Sequence, residues 1–546
     1  MADNEPRTAL SSTSLLEAFN HRGPEGFPSA IDGHVAVIAI DLNRSQVLSA
    51  SDRYGVHALY WAHTGPYLVV ATSAALVIRS GLIPASITPQ ALFNYVYFHV
   101  VPAPGTAFAG MQRLQAAQQL YRPTGDDLSI RRYWAPAFDG RRGKARVPAD
   151  GELLRRTLRA GVEKALQASP PATGAFLSGG LDSSTVAGML AELHPGDARA
   201  FAIGFEADGY DEMAYARATA RHFGLKLHEY YVTPDDIVTS LPDVVGAQSE
   251  PFGNSSALPA YFCARLARES GMQCLLAGDG GDELFGGNER YAHQMVFERY
   301  LRLPLFLRSG IVEPLVKLAP AGLPLARKAQ SFLSQARVPL PLRLQHYNFL
   351  NQYPAEEVFS EGVLKAADQQ QPGQLLEFLY GVPDNASTLD RMLFLDWQIT
   401  LADNDLRKVS SACGLAGIGV SYPMLDEELV ALSMTIPDKQ KIKGRNLRYF
   451  YKEALRGWLP DITISKSKKG FGLPFGVWLR EHPALRDMAI ENLQALRKRD
   501  LFKDSFIEDT LRKHADGHAA YFGELVWLLL VLELWLKANP DAMLTA

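Results

Sequence analysis

The sequence has few cysteines and little net charge. Its 546 residues include three cysteines, Cys263, Cys274 and Cys413, with no C-x-x-C pair and no His–Cys cluster. That count argues against a zinc site and against a disulfide scaffold, and it fits a reducing cytoplasm. A net charge of −4 gives no field that would attract nucleic acid or a membrane. The expected partners are therefore small molecules, and a homodimer is left open.

Targeting signals and membrane-length apolar runs are also missing. The stretch from Met1 to Leu16 is acidic and polar, which is not the pattern of a signal peptide. The longest apolar run, Leu525 to Leu536, contains Glu533 and is too short to span a bilayer, so it predicts a buried helix. The hydrophobic content of 47% is enough for two or three cores, and we expect two domains.

Residues 176–184 read Phe-Leu-Ser-Gly-Gly-Leu-Asp-Ser-Ser. The apolar run before Ser178 predicts a buried strand, and apolar residues at helical spacing follow Ser184. The glycines would let a phosphate approach the backbone at the positive end of that helix, and Asp182 offers the hard oxygens that Mg²⁺ prefers. An ordinary strand-to-helix turn with a serine cap is the simpler alternative. The complete S-G-G-x-D-S string favours a nucleotide site.

A second glycine-rich loop, 278–287, has three carboxylates within five residues, Asp279, Asp282 and Glu283. These charges would repel one another unless a cation joined them, so the loop predicts a metal site. A solvated acidic turn is the alternative, and it fits poorly with the apolar residues on both sides. Strand and helix signals alternate from residue 151 onward, which predicts a parallel sheet with both loops at its carboxyl edge.

These two loops resemble those of the asparagine synthetase superfamily, in which the first loop is of the ATP-pyrophosphatase type. The Walker pattern G-x-x-x-x-G-K-[ST] does not occur. The resemblance implies that ATP and Mg²⁺ activate a carboxylate as an acyl-adenylate, that pyrophosphate is released, and that an amine then forms an amide. It implies magnesium binding by Asp182 and Asp282, and ATP binding by Leu177, Ser178, Gly179, Gly180, Asp182, Ser183, Ser184 and Gly278.

The resemblance also implies two catalytic residues, Asp279 and Lys468. Asp279 would position the substrate carboxylate or the α-phosphate. Lys468 stands in a lysine-rich stretch, 466–474, that is similar to the family's Lys-x-Gly-Phe segment. By charge alone a lysine cluster predicts a solvated surface. The match instead implies that Lys468 meets negative charge on the α-phosphate and on the oxyanion of the second step.

The first hundred residues show short strand-like runs separated by turn residues, which predict a mostly β domain. The landmarks His21–Gly26 and Asp52–Gly55 resemble the N-terminal-nucleophile glutaminase domain of the same family. The family's nucleophilic cysteine follows the initiator Met, whereas this chain begins Met1-Ala2-Asp3, and the segment that holds glutamine is missing before Gly33. We therefore predict no glutamine hydrolysis. The domain is then a structural remnant or a partner-binding module.

The predicted organisation has three parts. Residues 1–135 form a degenerate, truncated class II glutamine amidotransferase-like domain that is rich in β structure. Residues 136–150 are the linker, inside a polar segment that runs from Gln112 to Arg146. Residues 151–546 form an α/β domain, an adenine-nucleotide α-hydrolase-like parallel sheet with a helical C-terminal region. Within it, residues 291–400 are expected to pack on the sheet, and Glu250-Pro251-Phe252 resembles the lining of the acyl-adenylate pocket.

The predicted function is an ATP-dependent, AMP-forming amide ligase whose amine does not come from glutamine. Asparagine synthetases usually have a Glu-x-Arg pair before the proline at 423, and this chain has Gly419-Val420-Ser421, so free aspartate is not the expected substrate. Alternatives are an intramolecular amide former similar to β-lactam synthetases or lasso-peptide cyclases, asparagine synthesis with free ammonia, and a nucleotide-binding pseudoenzyme. A tRNA-modifying enzyme would need a basic surface or a catalytic cysteine, and the sequence shows neither.

Overall fold

The computed structural model describes residues 33–123, 127–138, 150–207, 209–318, 324–346, 348–467, 472–516 and 519–544. In the N-terminal part, antiparallel strands form two sheets with the orders β1-β2-β7-β8 and β4-β3-β6. The strands there are β1 (Val37–Asp41), β2 (Gln46–Ala50), β3 (Tyr60–Thr64), β4 (Tyr67–Ala71), β5 (Ser86–Ile87), β6 (Gln112–Arg113), β7 (Gln118–Arg122) and β8 (Ser129–Arg132). The helices are Ala74–Arg79 and Pro89–Phe98.

The rest of the chain is built around a parallel sheet. Its strands are β9 (Thr173–Phe176), β10 (Arg199–Phe205), β11 (Lys226–Val232), β12 (Cys274–Leu276) and β13 (Gly419–Ser421). They lie in the order β11-β10-β9-β12-β13, and every pair is parallel. The chain moves outward from β9 in one direction and then returns to the other side with β12. Ligands of such sheets bind outside the carboxyl ends at that reversal.

Helices make up the rest of this part of the chain. Those up to the acidic loop are Gly151–Gln167, Leu181–Leu193, Met213–Phe223, Pro234–Gly246, Ala257–Glu269 and Gly281–Phe285. Those up to β13 are Glu289–Leu301, Leu305–Leu307, Arg308–Val312, Glu313–Leu318, Pro324–Arg337, Leu342–Gln345, Phe349–Asn351, Ala355–Val358, Glu361–Ala366, Gln371–Gly381, Thr388–Asp396, Trp397–Asp405 and Leu406–Ala416. After β13 come Pro423–Leu425, Glu427–Thr435, Asp438–Lys441, Tyr449–Leu455, Asp461–Ser465, Phe475–Glu481, Pro483–Arg497, Asp504–Asp516 and Ala519–Ala538. Trp397–Asp405 is a π-helix between two α-helices.

The helix Ala519–Ala538 joins the two parts of the molecule. Its run from Leu525 to Leu532 is buried, as predicted for a core helix, and Glu533 pairs with Arg499 at 2.6 Å. The Tyr95 hydroxyl of the N-terminal part donates to the carbonyl of Leu528 at 2.9 Å. Just after this helix, β14 (Met543–Leu544) pairs in parallel with β5. No helix of the described residues is long and apolar enough to cross a membrane.

The predicted mixed architecture is confirmed, with antiparallel sheets first and a parallel sheet with helices second. The polar segment that begins at Gln112 contains strands β6, β7 and β8, so this part of it is not linker. Alternation of polar and apolar residues is weak in β8, whose residues are largely exposed, so its sequence resembles a loop. The narrower linker at 136–150 lies mostly outside the described residues.

Candidate functional site

The loop after β9 leads directly into the helix Leu181–Leu193, as the sequence predicts. Gly179 has a φ of 69°, a left-handed conformation that favours glycine. A Cβ at this position would also lie 2.5 Å from the Cβ of Tyr215. The hydroxyls of Ser178 and Ser183 are 3.0 Å apart, and the Ser178 amide donates to Ser183 Oγ at 3.2 Å. These contacts hold the loop below the helix N-terminus, where free N–H groups can meet an anion.

The acidic loop after β12 packs against this first loop through its backbone. A Cβ at Gly278 would lie 2.7 Å from the amide nitrogen of Ser183, and a Cβ at Gly281 would overlap the carboxylate of Asp182. Glycine at these two positions therefore lets the loops approach closely enough for Asp182 and Asp282 to share one partner. The sequence predicted that both loops meet at this edge of the sheet, and the structure confirms it.

That shared partner is Arg448, which lies just before the helix Tyr449–Leu455. Its Nη1 is 2.5 Å from Asp182 Oδ2 and 3.1 Å from Asp282 Oδ1. Arg448 has a φ of 51°, a left-handed backbone that is uncommon outside glycine and concentrates at functional sites. Asp182 Oδ1 is buried and accepts no hydrogen bond from the described residues. Two facing carboxylates with an unsatisfied oxygen suit a small divalent cation.

A second charged cluster lies deeper in the site. Lys408 Nζ is 2.7 Å from Asp405 Oδ1. Burial raises the pKa of Asp279 to about 6, and Lys408 opposes part of this rise. Burial also raises the pKa of Glu283 well above its usual value, with Asp405 adding to the effect. Burial lowers the pKa of Lys408, but the carboxylates of Asp405 and Asp279 outweigh that effect and raise it overall.

Both clusters line one cavity of about 500 Å³. An apolar side of the wall includes Leu177, Phe201, Ile203 and Pro259, while Asn254 and Ser256 add neutral polar groups. Apolar walls with a few converging polar groups are typical of small-molecule sites. Of the predicted site residues, the wall includes Leu177, Ser178, Gly180, Asp182, Ser183, Gly278, Asp279 and Asp282.

Two predicted ATP-binding residues are placed differently. Ser184 is fully buried, and its hydroxyl lies 3.1 Å from Thr219 Oγ1 between two helices. Its side chain therefore points into the core, since it lies on the inner side of the helix. Gly179 packs against Tyr215 and Ala216. Neither is among the residues that line the cavity.

Lys468 lies outside the described residues. The residues on either side of that gap, Ser467 and Gly472, line the cavity. Lys466 also reaches the wall, where it pairs with Glu212 at 2.9 Å and lies 4.6 Å from the centre of the Tyr215 ring. The lysine-rich stretch therefore borders the cavity at both ends.

Sequence reasoning gave no role to Arg448, Asp405 or Lys408. Asp405 and Lys408 stand three residues apart at the entry to a helix, and their charge in a buried segment was an available signal. Arg448 is 266 residues from Asp182 and belongs to no short motif. Only the fold could bring it to the site.

Glu250 was expected near the acyl-adenylate pocket, and the structure places it at the contact between the two parts of the molecule. It is fully buried, accepts from the Tyr60 hydroxyl at 3.0 Å and from the Ala107 amide at 2.8 Å. Arg113 lies 3.7 Å from Glu250 and donates to Asp403 at 2.8 Å. Arg407 also donates to Glu250, at 3.3 Å. We call these four charged residues the interface cluster.

Comparison with known families agrees with this geometry. Residues 153–537 match the family model described as asparagine synthase. The chain belongs to the asparagine synthase family. Its members are carbon–nitrogen ligases that depend on ATP, so this protein is an amide ligase at the level of the family. Residues 3–134 match a second model, described as a glutamine amidotransferase domain.

Individual relatives of this asparagine synthase-family protein are distant. A Bacillus subtilis protein named asparagine synthetase [glutamine-hydrolyzing] 1 is 24% identical, over 97% of this chain and 81% of its own length. A Gibberella zeae protein named amidase chry2 is 27% identical, over 51% of this chain and 43% of its own length. An Asparagus officinalis protein named asparagine synthetase [glutamine-hydrolyzing] is 24% identical, over 53% of this chain and 45% of its own length.

Proposed function

We propose that this protein adenylates a carboxylate with ATP, releases pyrophosphate, and lets an amine that does not come from glutamine displace AMP. The observation that carries the proposal is the meeting of the two loops around one cavity. The helix N-terminus behind Ser178 would face the phosphates, and Asp182 and Asp282 share the partner Arg448. The family uses ATP and Mg²⁺, and these residues provide what that pair needs.

The magnesium site would be formed by Asp182 and Asp282 together with the phosphates of ATP. Mg²⁺ is commonly held by one or two carboxylates, substrate phosphates and water, so two protein ligands are sufficient. When bound, the ion would supply charge neutralisation on the phosphates. Arg448, released from part of its contact with the two carboxylates, would be free to meet a phosphate oxygen.

Glutamine is not the proposed source of the amine because no suitable thiol is present. Residues 3–134, which match the amidotransferase model, contain no cysteine. The three cysteines of the chain are all buried in the second part. Burial raises the pKa of Cys263 and of Cys274. A thiol in that state is a poor nucleophile.

The second step is proposed to use Asp279 and Lys468. The amine nitrogen would bond to the acyl carbon, the bond from that carbon to the AMP oxygen would break, and the carboxylate of Asp279 would take the proton lost by the amine. With a pKa of about 6, Asp279 would be charged at neutral pH and still basic enough to accept a proton. Lys468 would stabilise the oxyanion formed during the attack.

A second candidate is an intramolecular reaction, in which the amine and the carboxylate belong to one substrate. The strand β13, Gly419–Ser421, runs beside the acidic loop's strand and ends at the same edge. It lacks the acid and the base that asparagine synthetases usually carry there, so nothing in it would hold the charged groups of free aspartate. Asparagine synthesis with ammonia is therefore the less favoured alternative.

The test is exchange of labelled pyrophosphate into ATP, which detects adenylation without requiring the amine. The purified protein with Mg²⁺ would be given carboxylates, amino acids and peptides encoded beside its gene, and products would be identified by mass spectrometry. We expect exchange that depends on the carboxylate, AMP as the product nucleotide, and no glutamate from glutamine. ADP as the product, or glutamate above the blank, would contradict the proposal. ATP binding without exchange for any carboxylate would favour a pseudoenzyme.

A further inference from the structure

Residues 299–318 and 324–337 form a helical surface that the ligase chemistry does not use. It follows the helix Gly281–Phe285 of the acidic loop and consists of the end of Glu289–Leu301, three short helical pieces and Pro324–Arg337. The sequence predicted that this region packs on the sheet. The structure shows that only one side of it is packed.

The inner side is held by aromatic and aliphatic contacts. Phe297 and Phe332 stack with ring centres 4.6 Å apart, and Leu333 and Ala336 are buried. Arg343, which is also buried, donates to Gln294 at 2.6 Å and so fixes the helix Glu289–Leu301 to the protein interior. This side therefore fixes the surface to the body of the protein.

The outer side exposes large apolar side chains. Leu305 and Phe306 are each 69% exposed, and Leu318 and Leu325 are each 81% exposed. Leu303, Ile311 and Leu315 on the same segment are also exposed. Single exposed leucines are ordinary on protein surfaces, but a series of them within about twenty residues marks an interaction surface.

The charge of this segment is opposite to that of the chain. Between Arg299 and Arg337 there are seven Arg or Lys residues and one acidic residue, Glu313, which gives 7 − 1 = +6 against −4 for the whole protein. Arg299, Arg302, Arg327 and Lys328 are exposed. Glu313 is neutralised by Arg337 at 2.7 Å.

We propose that this surface docks on the headgroup region of an anionic lipid bilayer. Bulky apolar side chains next to exposed Arg and Lys are the combination that binds membrane interfaces. The leucines and Phe306 would enter the boundary between headgroups and acyl chains, while the cations would meet the anionic lipids. The expectation of no membrane partner rested on the charge averaged over the chain, and this segment departs from that average. A second copy of the chain is the competing occupant, and the test separates the two.

The experiment is flotation of the full chain with lipid vesicles. The vesicles are phosphatidylcholine alone or phosphatidylcholine mixed with phosphatidylglycerol, at low salt and at ~1 M salt, where charges are screened within ~3 Å. One variant combines Leu305→Ser, Phe306→Ser and Leu325→Ser. A second combines Arg302→Gln, Arg327→Gln and Lys328→Gln. The matched control is Ile40→Ser with Leu42→Ser, two exposed apolar residues of the N-terminal part.

We expect the wild type and the control to float with the anionic vesicles and to dissociate at high salt. Each triple variant should bind the anionic vesicles at least about tenfold less than the wild type does. Its melting temperature should be unchanged. Equal partitioning of wild type and variants, or no preference for anionic over neutral vesicles, would overturn the proposal. A wild type that is dimeric by light scattering, becomes monomeric in the apolar variant and never floats would show a self-interface and would overturn it too.

Discussion

The interface cluster and the cavity differ in how their carboxylates are satisfied. In the interface cluster, all four oxygens of Glu250 and Asp403 accept hydrogen bonds, from Tyr60, Ala107, Arg113, Ala103 and Arg407. The wall of the cavity has six carboxylates and four cationic side chains, and Asp182 Oδ1 accepts no hydrogen bond from described residues. Buried polar groups in native proteins are normally paired. The carboxylates of the first cluster are therefore satisfied within the protein, whereas those of the second leave an oxygen for a cation from outside.

Removing one carboxylate from the cavity should give the largest effect. Asp182→Asn is expected to lower pyrophosphate exchange by more than about 10³-fold, because magnesium loses one of its two protein ligands and several kcal/mol of charge stabilisation disappear. Asn can still accept a hydrogen bond from Arg448, so the melting temperature should change little. Exchange assays and thermal unfolding would be run on this variant and on the control Asp197→Asn. Asp197 is an exposed carboxylate that pairs with Lys226 on the surface. If the Asp182→Asn variant unfolded at a much lower temperature than the wild type, both measured without magnesium, Asp182 would be a structural residue.

Lys468→Ala tests whether the lysine-rich stretch completes the cavity. We expect kcat to fall by about 10²–10³ with a much smaller change in the apparent affinity for ATP, because the ammonium would act on charge that develops in the transition states. Lys469→Ala is the control, since two lysines of a solvated surface would be interchangeable. Equal and mild effects of the two substitutions in steady-state kinetics would return the stretch to a surface role.

Arg113→Met tests the interface cluster. It leaves Asp403 and Glu250 buried without their shared cation, so the free energy of unfolding should fall by roughly 3 kcal/mol or more. Arg217→Met breaks an exposed pair with Glu229 and should lower the free energy of unfolding far less, because solvent screens that pair. Urea unfolding of both variants measures the difference. If Arg113→Met were as mild as Arg217→Met, the interface cluster would not be the closed, mutually dependent unit described above.

Among the effects on stability, that of Asp279→Asn should be smaller than that of Arg113→Met, and its size depends on pH. The pKa of Asp279 is raised from an ordinary value near 4 to about 6. Between these values the folded protein retains a proton that the unfolded chain has lost, so this carboxyl lowers the free energy of unfolding as pH rises from about 4 to about 6. At pH 7 the Asn variant should be more stable than the wild type by ~1–3 kcal/mol. The advantage should shrink at pH 5, and urea unfolding at the two pH values would show it. If the variant were more stable than the wild type by the same amount at both pH values, titration of Asp279 would be excluded as the cause.

The parts that sequence predicts well are those in which local pattern and tertiary structure agree. The loop after β9 joins a buried strand to a helix as predicted, and the glycines of both loops lie where the backbone needs them. Predictions fail where the deciding contact is remote. Arg448 reaches Asp182 only through the fold, and Glu250 belongs to a contact between parts of the chain 190 residues apart. The leucine-rich sequence near residue 305 has the composition of a buried helix. Only the fold shows that its leucines are exposed.

The π-helix Trp397–Asp405 has a consequence for how this chain can vary. Asp403 points to the interface cluster, and Asp405, two positions later, points to the cavity. A helix turns by about 100° per residue, so neighbours two apart face nearly opposite directions. A π-helix holds an extra residue relative to an α-helix. Removing Asn404 would leave the two carboxylates about 100° apart, so one of the two sites would lose its carboxylate. The spacing of Asp403 and Asp405 is therefore constrained by two sites at once, one structural and one in the cavity.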